Sequence, residues 1–585
     1  MSKKTTCPLD CYDGCSVVVD KNLVLKGEKE HPVTKGHLCA NLNHFFDFTR
    51  ISTPLFEQKQ IELDAALEIL RDKLTESKPA KVLYLQGSGN LGKMQNITKL
   101  FFSQFGATIA QGSLCDEAGG YGIEEGRGAN LALSPTQVAK CEVVILWGRN
   151  VAVTNPHMLH AIKGKTLIVI DPLKIDLALK ADLYVSIKPR GDIYLAMLLA
   201  RFAYTQQMDD EEFIQNRCKN FDYYLDMISA YFIRDLSQKS GVCLSDADKI
   251  LSMIAGKKVA ILVGTGVQKY THGHSVLRAI DSFAALLGLF GKEGCGVGYP
   301  SNSFYGFENP FFFRAKTTPL PLVDFGAYDL VFIQGGNPAN QMPCTPKIKE
   351  ALKKAKFVVY MGLHVNETSN LAQLVIPAKS FLEKEDVKLS YGHEFVGLMP
   401  KITEAKFGIS EYELTQFLLK NFGFAPALRE QEYIEKIIAS GAVQKDGHLI
   451  SKVYDEIAYA SKFYTADEKF LFFDEFYDEK DGKEEEGFYL LSGKYNKSLN
   501  SQFQTHDALH VPPCLGLADD SIVQLSRGEF TCRYVVKNDA RLRNDCVLLY
   551  SGARDANMLT PTRMSQEGEM AVFQEEKVKL KVIDE

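Results

Sequence analysis

CEVVILWGRN, at positions 141–150, is the stretch that decides the fold class. Its five consecutive apolar residues run into a glycine turn, which is typical of a strand buried on both faces of a parallel sheet. Helix-like stretches separate it from other runs of this kind, and alternating strands and helices predict doubly wound α/β sheets. One sheet does not use so many units, so we expect two Rossmann-like domains within residues 51–470. The other runs are KVLYLQGSGN at 81–90, TLIVIDP at 166–172, KVAILVGTGVQ at 258–268 and DLVFIQGGNP at 329–338.

The carboxy-terminal part of the chain has a different pattern. Residues 474–487 carry eight carboxylates against two lysines, so we interpret 471–487 as a solvated acidic linker. Residues 488–585 are rich in short strands separated by turns, which predicts a small β-barrel.

Composition excludes several classes of function. With 67 Lys and Arg against 73 Asp and Glu, the formal net charge is −6, which argues against a nucleic-acid-binding protein. No apolar run approaches the roughly 18 residues of a membrane span, and the first residues show no export signal. We therefore expect a cytoplasmic protein, whose thirteen cysteines are thiols or metal ligands rather than disulfides.

Four of those cysteines lie close to the amino terminus. Cys7, Cys11 and Cys15 are separated by three residues each, and Cys39 follows at a distance. Zinc sites usually use two close pairs, whereas three nearby cysteines plus a distant one are typical of a cubane cluster. The spacing predicts a [4Fe–4S] domain over residues 1–50. The alternative is a group of buried, inert cysteines.

Glycine turns after the predicted strands indicate phosphate binding. Such turns offer free backbone N–H groups, and the positive end of the next helix adds to the attraction. Gly148, Gly264 and Gly335 each follow a strand in this way, although no complete G-x-G-x-x-G is present. Parallel sheets need tight turns whatever they bind, but several together suggest a large dinucleotide in more than one copy.

Eight short segments follow one another along the chain in a specific order: CPLDCYDGC, HPVTKGHLC, LWGRN, VIDP, KPRGD, GNP, LVIPAKSFLEKED and RDANMLTP. In this order they resemble the dimethyl sulfoxide reductase superfamily of molybdopterin oxidoreductases, and the formate dehydrogenase-like members most of all. The resemblance implies a four-domain fold: the small iron–sulfur domain, two Rossmann-like domains and a dinucleotide-binding β-barrel over 488–585. It also implies two molybdopterin guanine dinucleotides, one Mo or W ion and the [4Fe–4S] cluster.

The resemblance also assigns roles to individual residues. The cluster ligands would be Cys7, Cys11, Cys15 and Cys39. One dinucleotide would be bound by Gly148, Asn150, Thr154, Asp171, Gly191 and Asp192, and the other by Gly264, Gly266, Gly335 and Asn337. Gly493, Asn500, Asn557 and Thr560 lie in the segments that would close over both pterins.

The metal ligand is the chemically decisive position. In the family it lies before the WG turn, where this chain has Cys115 followed by Asp116. A thiolate suits a metal that changes oxidation state; Asp116 is either a rival ligand or a proton acceptor. Formate dehydrogenases have a histidine in the place of Asp116. Asn41 replaces a lysine that is often found between cluster and pterin, and Arg190 stands where glycine is common.

Two functional hypotheses follow. The first is an enzyme that carries out two-electron redox chemistry on a small-molecule substrate at the metal, with electrons passing through the [4Fe–4S] cluster to a ferredoxin-like or diaphorase partner. The second is a non-catalytic iron–sulfur electron-transfer subunit, related to the large subunit of NADH dehydrogenase. Retention of Cys115 and of NMLT at 557–560 favours the enzyme.

Overall fold

The computed structural model describes residues 2–88, 91–300, 304–311, 314–454, 457–476, 486–575 and 577–583. The amino-terminal unit is an antiparallel three-stranded sheet with one short helix. Its elements are β1 (Lys3–Thr6), β2 (Ser16–Val19), β3 (Leu25–Gly27) and α1 (Ala40–Asn43).

The next segment begins the larger α/β sheet. Its elements are β4 (Leu55–Phe56), β5 (Lys59–Gln60), α2 (Leu63–Glu76), β6 (Val82–Gln86), α3 (Thr98–Phe105), β7 (Thr108–Gln111), α4 (Glu117–Arg127) and α5 (Pro135–Val138). The chain then builds a second sheet from β8 (Val143–Trp147), α6 (Val151–Thr154), α7 (Met158–Ile162), β9 (Thr166–Ile170), β10 (Leu183–Val185), α8 (Asp192–Thr205), α9 (Glu211–Arg217), β11 (Cys218–Lys219), α10 (Phe221–Ser229), α11 (Ile233–Ser240), α12 (Leu244–Ile254), β12 (Val259–Val263), α13 (Gly273–Leu286) and β13 (Gly296–Gly298).

It afterwards returns to the first sheet. The elements here are β14 (Lys316–Pro319), β15 (Leu330–Gln334), α14 (Pro338–Gln341), α15 (Thr345–Lys354), β16 (Phe357–Gly362), β17 (Leu374–Pro377), β18 (Asp386–Leu389), β19 (Val396–Met399), α16 (Glu411–Asn421), α17 (Glu430–Gly441), β20 (Ala442–Lys445) and β21 (His448–Ser451). The last part comprises β22 (Phe470–Leu471), β23 (Phe488–Leu491), β24 (Ser498–Leu499), β25 (Gln502–Phe503), β26 (Leu509–Val511), β27 (Ile522–Arg527), β28 (Phe530–Asn538), β29 (Cys546–Leu548) and β30 (Lys577–Val582).

The two α/β sheets are interleaved in sequence. One has the strand order β10-β9-β8-β12-β13 and is parallel throughout. The other has the order β14-β7-β6-β15-β16-β17-β4-β5, with Val82 paired to Leu330 in its centre. The five-stranded sheet is thus inserted into the chain of the eight-stranded one. The predicted α/β class with two Rossmann-like sheets is confirmed.

Continuous apolar runs form the central strands because both faces of each strand are covered by helices. All five residues of β8 are buried, and Trp147 at its end is 0% exposed. The Trp147 indole N–H donates to Asp192 Oδ1 at 2.7 Å, which fixes the start of α8 against the sheet.

The predicted carboxy-terminal barrel is also confirmed. Strands β23-β29-β26-β28-β27-β30 close on themselves, so this domain has no free strand edge within the described residues. Of the predicted acidic linker at 471–487, residues 477–485 lie outside the described residues. Its first part packs on the five-stranded sheet's core, where Phe472 and Phe473 are buried.

Across the part of the chain that is described, no α-helix has both the length and the apolar character needed to cross a bilayer.

Candidate functional site

The strand ends of both sheets meet around the predicted site residues. Each sheet has a pair of adjacent strands whose glycine turns touch. A β-carbon on Gly264 would lie 1.8 Å from the Gly148 carbonyl oxygen, and one on Gly87 would lie 2.5 Å from Gly336 Cα. Only glycine allows these turns to approach so closely. The carboxyl ends of parallel strands are where α/β proteins bind ligands.

The turns predicted to bind the second dinucleotide lie in two different sheets. Gly264 and Gly266 follow β12, which lies beside β8, so they share one sheet with Gly148. Gly335 and Asn337 follow β15 in the other sheet. Strand order, which the sequence does not show, decides which turns are neighbours. Gly87, the partner of Gly336, was missed, although it ends a buried strand in the same pattern.

The residues around Gly148 fall into two groups. Asn150 caps α6, and its Oδ1 atom is buried without a hydrogen-bond partner in the described chain. Thr154 donates back to the Asn150 carbonyl at 2.9 Å. Asp192, by contrast, is 4% exposed and accepts a hydrogen bond from Trp147. It therefore lies in the interior, where it fixes α8 against the sheet.

Asp171 and Gly191 lie on the edge of the same site. The Asp171 carboxylate accepts the Leu173 N–H at 2.8 Å, and burial raises its pKa to about 7. Gly191 precedes α8, with the Lys188 carbonyl oxygen 2.7 Å from where a β-carbon would be. Arg190 beside it has a positive φ of 70°.

The carboxy-terminal segments reach the turn of the eight-stranded sheet. Asn337 donates to Ser501 Oγ at 3.0 Å and to Glu367 Oε2 at 2.7 Å. Asn557 donates to the Asn340 carbonyl at 2.8 Å, and Thr560 donates to the Asn557 carbonyl at 2.9 Å. The segments expected to close over the pterins therefore contact a predicted dinucleotide turn directly.

Gly493 and Asn500 lie in the same closing region. The Gly493 carbonyl accepts the Ser551 N–H at 2.8 Å. Asn500 has a positive φ of 53°, and its Oδ1 accepts from Lys494 Nζ at 3.1 Å.

We call residues 7–15, together with Cys39, the cysteine loop. It lies between the glycine turns of the five-stranded sheet and those of the eight-stranded sheet. The Leu91 N–H donates to the Pro8 carbonyl at 2.9 Å, next to the Gly87 turn. The Cys11 thiol approaches the Thr154 carbonyl at 3.6 Å, next to the Gly148 turn. From β18, the buried ammonium of Lys388 donates to the Leu9 carbonyl at 2.5 Å. The loop is therefore fixed from three sides.

The four cysteines of the loop influence one another. Burial raises the pKa of Cys7 to about 11, and the charge of Cys39 adds to this rise. The pKa of Cys15 is also raised; burial is the largest cause, followed by the charges of Cys7, Asp13, Cys11 and Cys39. The four thiols therefore act on one another electrostatically, and a positively charged iron cluster bound among them would offset the repulsion among their thiolates. The described residues contain no set of three or more His, Cys, Asp or Glu side chains arranged for a single metal ion.

Cys115 lies between β7 and α4, on a loop that three parts of the chain hold in place. Its N–H donates to Ser113 Oγ at 2.8 Å, and its carbonyl accepts from Gln268 Nε2 at 2.6 Å. Tyr299 donates to the Asp116 carbonyl at 3.1 Å, while Ser113 pairs with Met570 of the carboxy-terminal domain.

The surroundings of Cys115 are strongly charged. Cys115 is half-buried as a residue, and burial is the largest cause that raises the pKa of its thiol to about 12. We call the surroundings of this thiol the Cys115 recess. Asp116 and Asp10 add to the rise, and Lys269 and Lys494 oppose it. Asp10 also accepts from Tyr391 at 3.1 Å, so a carboxylate of the cysteine loop faces the Cys115 recess. Cys115 and the cysteine loop are thus neighbours.

Lys269, Lys494 and Tyr391 were not predicted. Lys269 could have been found, because it follows the VGTGVQ turn at a strand end. Lys494 directly follows the predicted Gly493, whereas nothing in the sequence marks Tyr391, which reaches the site through tertiary folding.

Comparisons with known proteins agree with this geometry. The sequence profile described as "Molybdopterin oxidoreductase" matches residues 50–408. The chain is 27% identical over 485 residues to "Probable oxidoreductase YyaE" of Bacillus subtilis, which covers 75% of this chain and 72% of that protein. It is 25% identical over 443 residues to "F420-dependent formate dehydrogenase 2 subunit alpha" of Methanococcus maripaludis, covering 65% and 64% of the two chains.

Among solved structures, the fold is similar to "Acetylene Hydratase from Pelobacter acetylenicus", with a TM-score of 0.79 and 15% identity over 99% of this chain and 100% of that one. The chain belongs to the molybdopterin oxidoreductase family, and the predicted resemblance is confirmed. It is an oxidoreductase of that family, which carries molybdopterin with Mo or W.

Proposed function

We propose that the chain oxidises or reduces a small anionic substrate by two electrons at a Mo or W ion bound by two pterin dinucleotides and by Cys115. A metal–pterin centre, when bound, supplies the two-electron redox chemistry. The observation that carries the proposal is the position of Cys115. It lies on the loop after β7, where the segment after β12 and the carboxy-terminal domain contact the loop and where the charges of Asp10, Lys269 and Lys494 act on the thiol.

Several buried atoms fit such a cofactor. Asn150 Oδ1, Asn340 Oδ1 and Asn41 Oδ1 are buried without partners in the described chain, beside the first turn, the second turn and the cysteine loop respectively. Buried polar atoms are rarely left unpaired in a native state, so a bound group is expected to satisfy them. The glycine turns would bind its phosphates through backbone N–H groups.

Cys115 supports the ligand role through its electrostatics. Its raised pKa means that the apo-protein has a neutral thiol, whereas a nearby cation favours the thiolate. Asp116 is adjacent and already accepts a hydrogen bond from Ser113 Oγ at 3.1 Å. We assign Asp116 as the group that accepts or returns a substrate proton.

An anionic substrate is favoured by the two lysines of the recess. Lys269 and Lys494 both act on Cys115, and burial is the main cause that lowers the pKa of Lys269. An anion bound in the recess would favour the protonated, positively charged form of Lys269. A relative named as a formate dehydrogenase acts on such an anion. Formate is therefore the first substrate to assay.

We propose that electrons cross a [4Fe–4S] cluster bound by Cys7, Cys11, Cys15 and Cys39, and that the enzyme works in the cytoplasm. All thirteen cysteines are free thiols, which fits a reducing compartment.

The test compares Cys115→Ala with Cys141→Ala in anaerobically purified protein. Cys141 is a buried thiol of the sheet core and has no proposed role. We expect Cys115→Ala to lose dye-linked formate oxidation and to show one sulfur ligand fewer at the Mo or W absorption edge. Iron content should be unchanged in both variants.

Full activity in Cys115→Ala, or an unchanged sulfur count at the metal, would refute the ligand assignment. Wild-type protein that holds iron but neither Mo nor W would instead favour the non-catalytic electron-transfer subunit.

A further inference from the structure

A group of basic side chains covers the solvent side of the cysteine loop. We name it the basic patch. Its members are all exposed and come from two separate segments, one before Cys39 and one after His157; they are Lys29, Lys35, His37, His160 and Lys163.

The basic patch is joined to the cysteines by short paths. His157 Nε2 lies 3.2 Å from Cys15 Sγ, and His160 lies one helical turn further along α7. The rings of His160 and His37 stack at 5.9 Å between centroids. His37 in turn is two residues from Cys39. Cys15 is therefore joined to the patch through His157, and Cys39 is two residues from a member of the patch.

The lysines of the patch form no ion pairs within the described residues, although the exposed Glu30 follows Lys29 in the sequence. Lys29, Lys35 and Lys163 have no carboxylate within 4.0 Å in the described part of the chain. Burial is the largest cause that lowers the pKa of His160, and the charges of Lys35, His37 and Lys163 lower it further. These three groups therefore lie close enough to act on the same ring. The whole chain carries a net charge of −6, which makes this local excess of positive charge distinctive.

The opposite side of the cysteine loop faces the protein interior. Asn41 donates to the Ser498 carbonyl at 3.3 Å, which belongs to the segment expected to close over the pterins. Electrons from the metal would arrive on that side and leave on the other.

We propose that the basic patch is the docking surface for a small acidic one-electron carrier protein. The proposal rests on the [4Fe–4S] cluster of the proposed function. A reduced cluster, when bound by the four cysteines, would supply one electron, and the oxidised carrier protein would take up that electron. Complementary charges steer such encounters and act mainly on the association rate.

The experiment measures this step without a substrate. Dithionite-reduced enzyme, freed of reductant, is mixed by stopped flow with an oxidised acidic [2Fe–2S] ferredoxin as probe. In Lys35→Glu/Lys163→Glu we expect the second-order rate at low ionic strength to fall about tenfold or more. At high salt the difference should shrink to within about twofold, because salt screens charges beyond a few ångströms.

Two controls keep the result specific. Lys353→Glu/Lys436→Glu makes the same charge change on exposed lysines of α15 and α17, and its rate should stay within about twofold of wild type. A small uncharged quinone should oxidise all three proteins at comparable rates, with equal iron contents.

Equal ferredoxin rates in the patch variant and the control variant would overturn the docking proposal, and so would a faster rate in the patch variant. Wild-type protein without iron would overturn the proposed cluster itself, which separates the two failures.

Discussion

Replacing Gly264 by alanine tests the close contact between two strand ends. The added β-carbon would lie 1.8 Å from the Gly148 carbonyl oxygen, whereas real contacts begin near 3.0 Å, so one turn must move by about 1.2 Å. That movement strains the Gly264 N–H to Trp147 carbonyl hydrogen bond of 2.9 Å. Overpacking costs about 1–3 kcal/mol, and the hydrogen bond adds about 1 kcal/mol.

Gly266→Ala is the matched control. Its β-carbon would meet no atom within 4 Å, and its φ is not positive, so we expect little change. For a unit of this size each kcal/mol lowers Tm by roughly 2–4 °C. Gly264→Ala should therefore melt about 4–16 °C lower than Gly266→Ala in calorimetry of the apo-protein. Equal Tm in the two variants would refute the reasoning.

Three further predictions concern other parts of the molecule. Burial raises the pKa of Asp192 to about 7, so the native state binds an extra proton and apo-protein stability should fall from pH 4 to pH 7. Asp192→Asn should flatten the decline in Tm with rising pH, whereas the control Asp226→Asn, at an exposed position, should not. An unchanged dependence of Tm on pH in both variants would contradict the raised pKa of Asp192. Arg127 and Asp281 form an ion pair that is 0% exposed, so Arg127→Met should destabilise by about 3–5 kcal/mol. The double variant Arg127→Met/Asp281→Leu should recover most of this in denaturant melts, and a double variant as unstable as the single one would contradict it. Cys11→Ser should lose the visible absorbance of the iron–sulfur cluster at neutral pH, whereas the control Cys514→Ser, at an exposed position, should keep it. Retained absorbance in Cys11→Ser would refute the cysteine loop as the binding site of the cluster.

Much of the fold could be predicted because buried parallel strands have a strong local signal. The run before Gly148 contains five apolar residues, and all five are buried. The interleaving could not be predicted, since Val82 pairs with Leu330 far along the chain. Apolar runs indicate that a strand exists but not which strand lies beside it.

The site shows the same division. Cys115 was found because it lies at a fixed place relative to the WG turn in a family that the chain resembles. Lys494 comes from the barrel region, next to the predicted Gly493, but its approach to Cys115 depends on tertiary packing. Tyr391 comes from the segment after β18, and its neighbours in sequence do not mark it. Convergence of distant segments is a product of tertiary packing, which local patterns do not encode.

The most direct test of the account is elemental and pterin analysis of wild-type protein purified without oxygen. The account predicts about one Mo or W, about four Fe and about two pterins per chain. Iron at about four per chain with neither Mo nor W, from a host that loads other molybdenum enzymes, would contradict the catalytic site at Cys115.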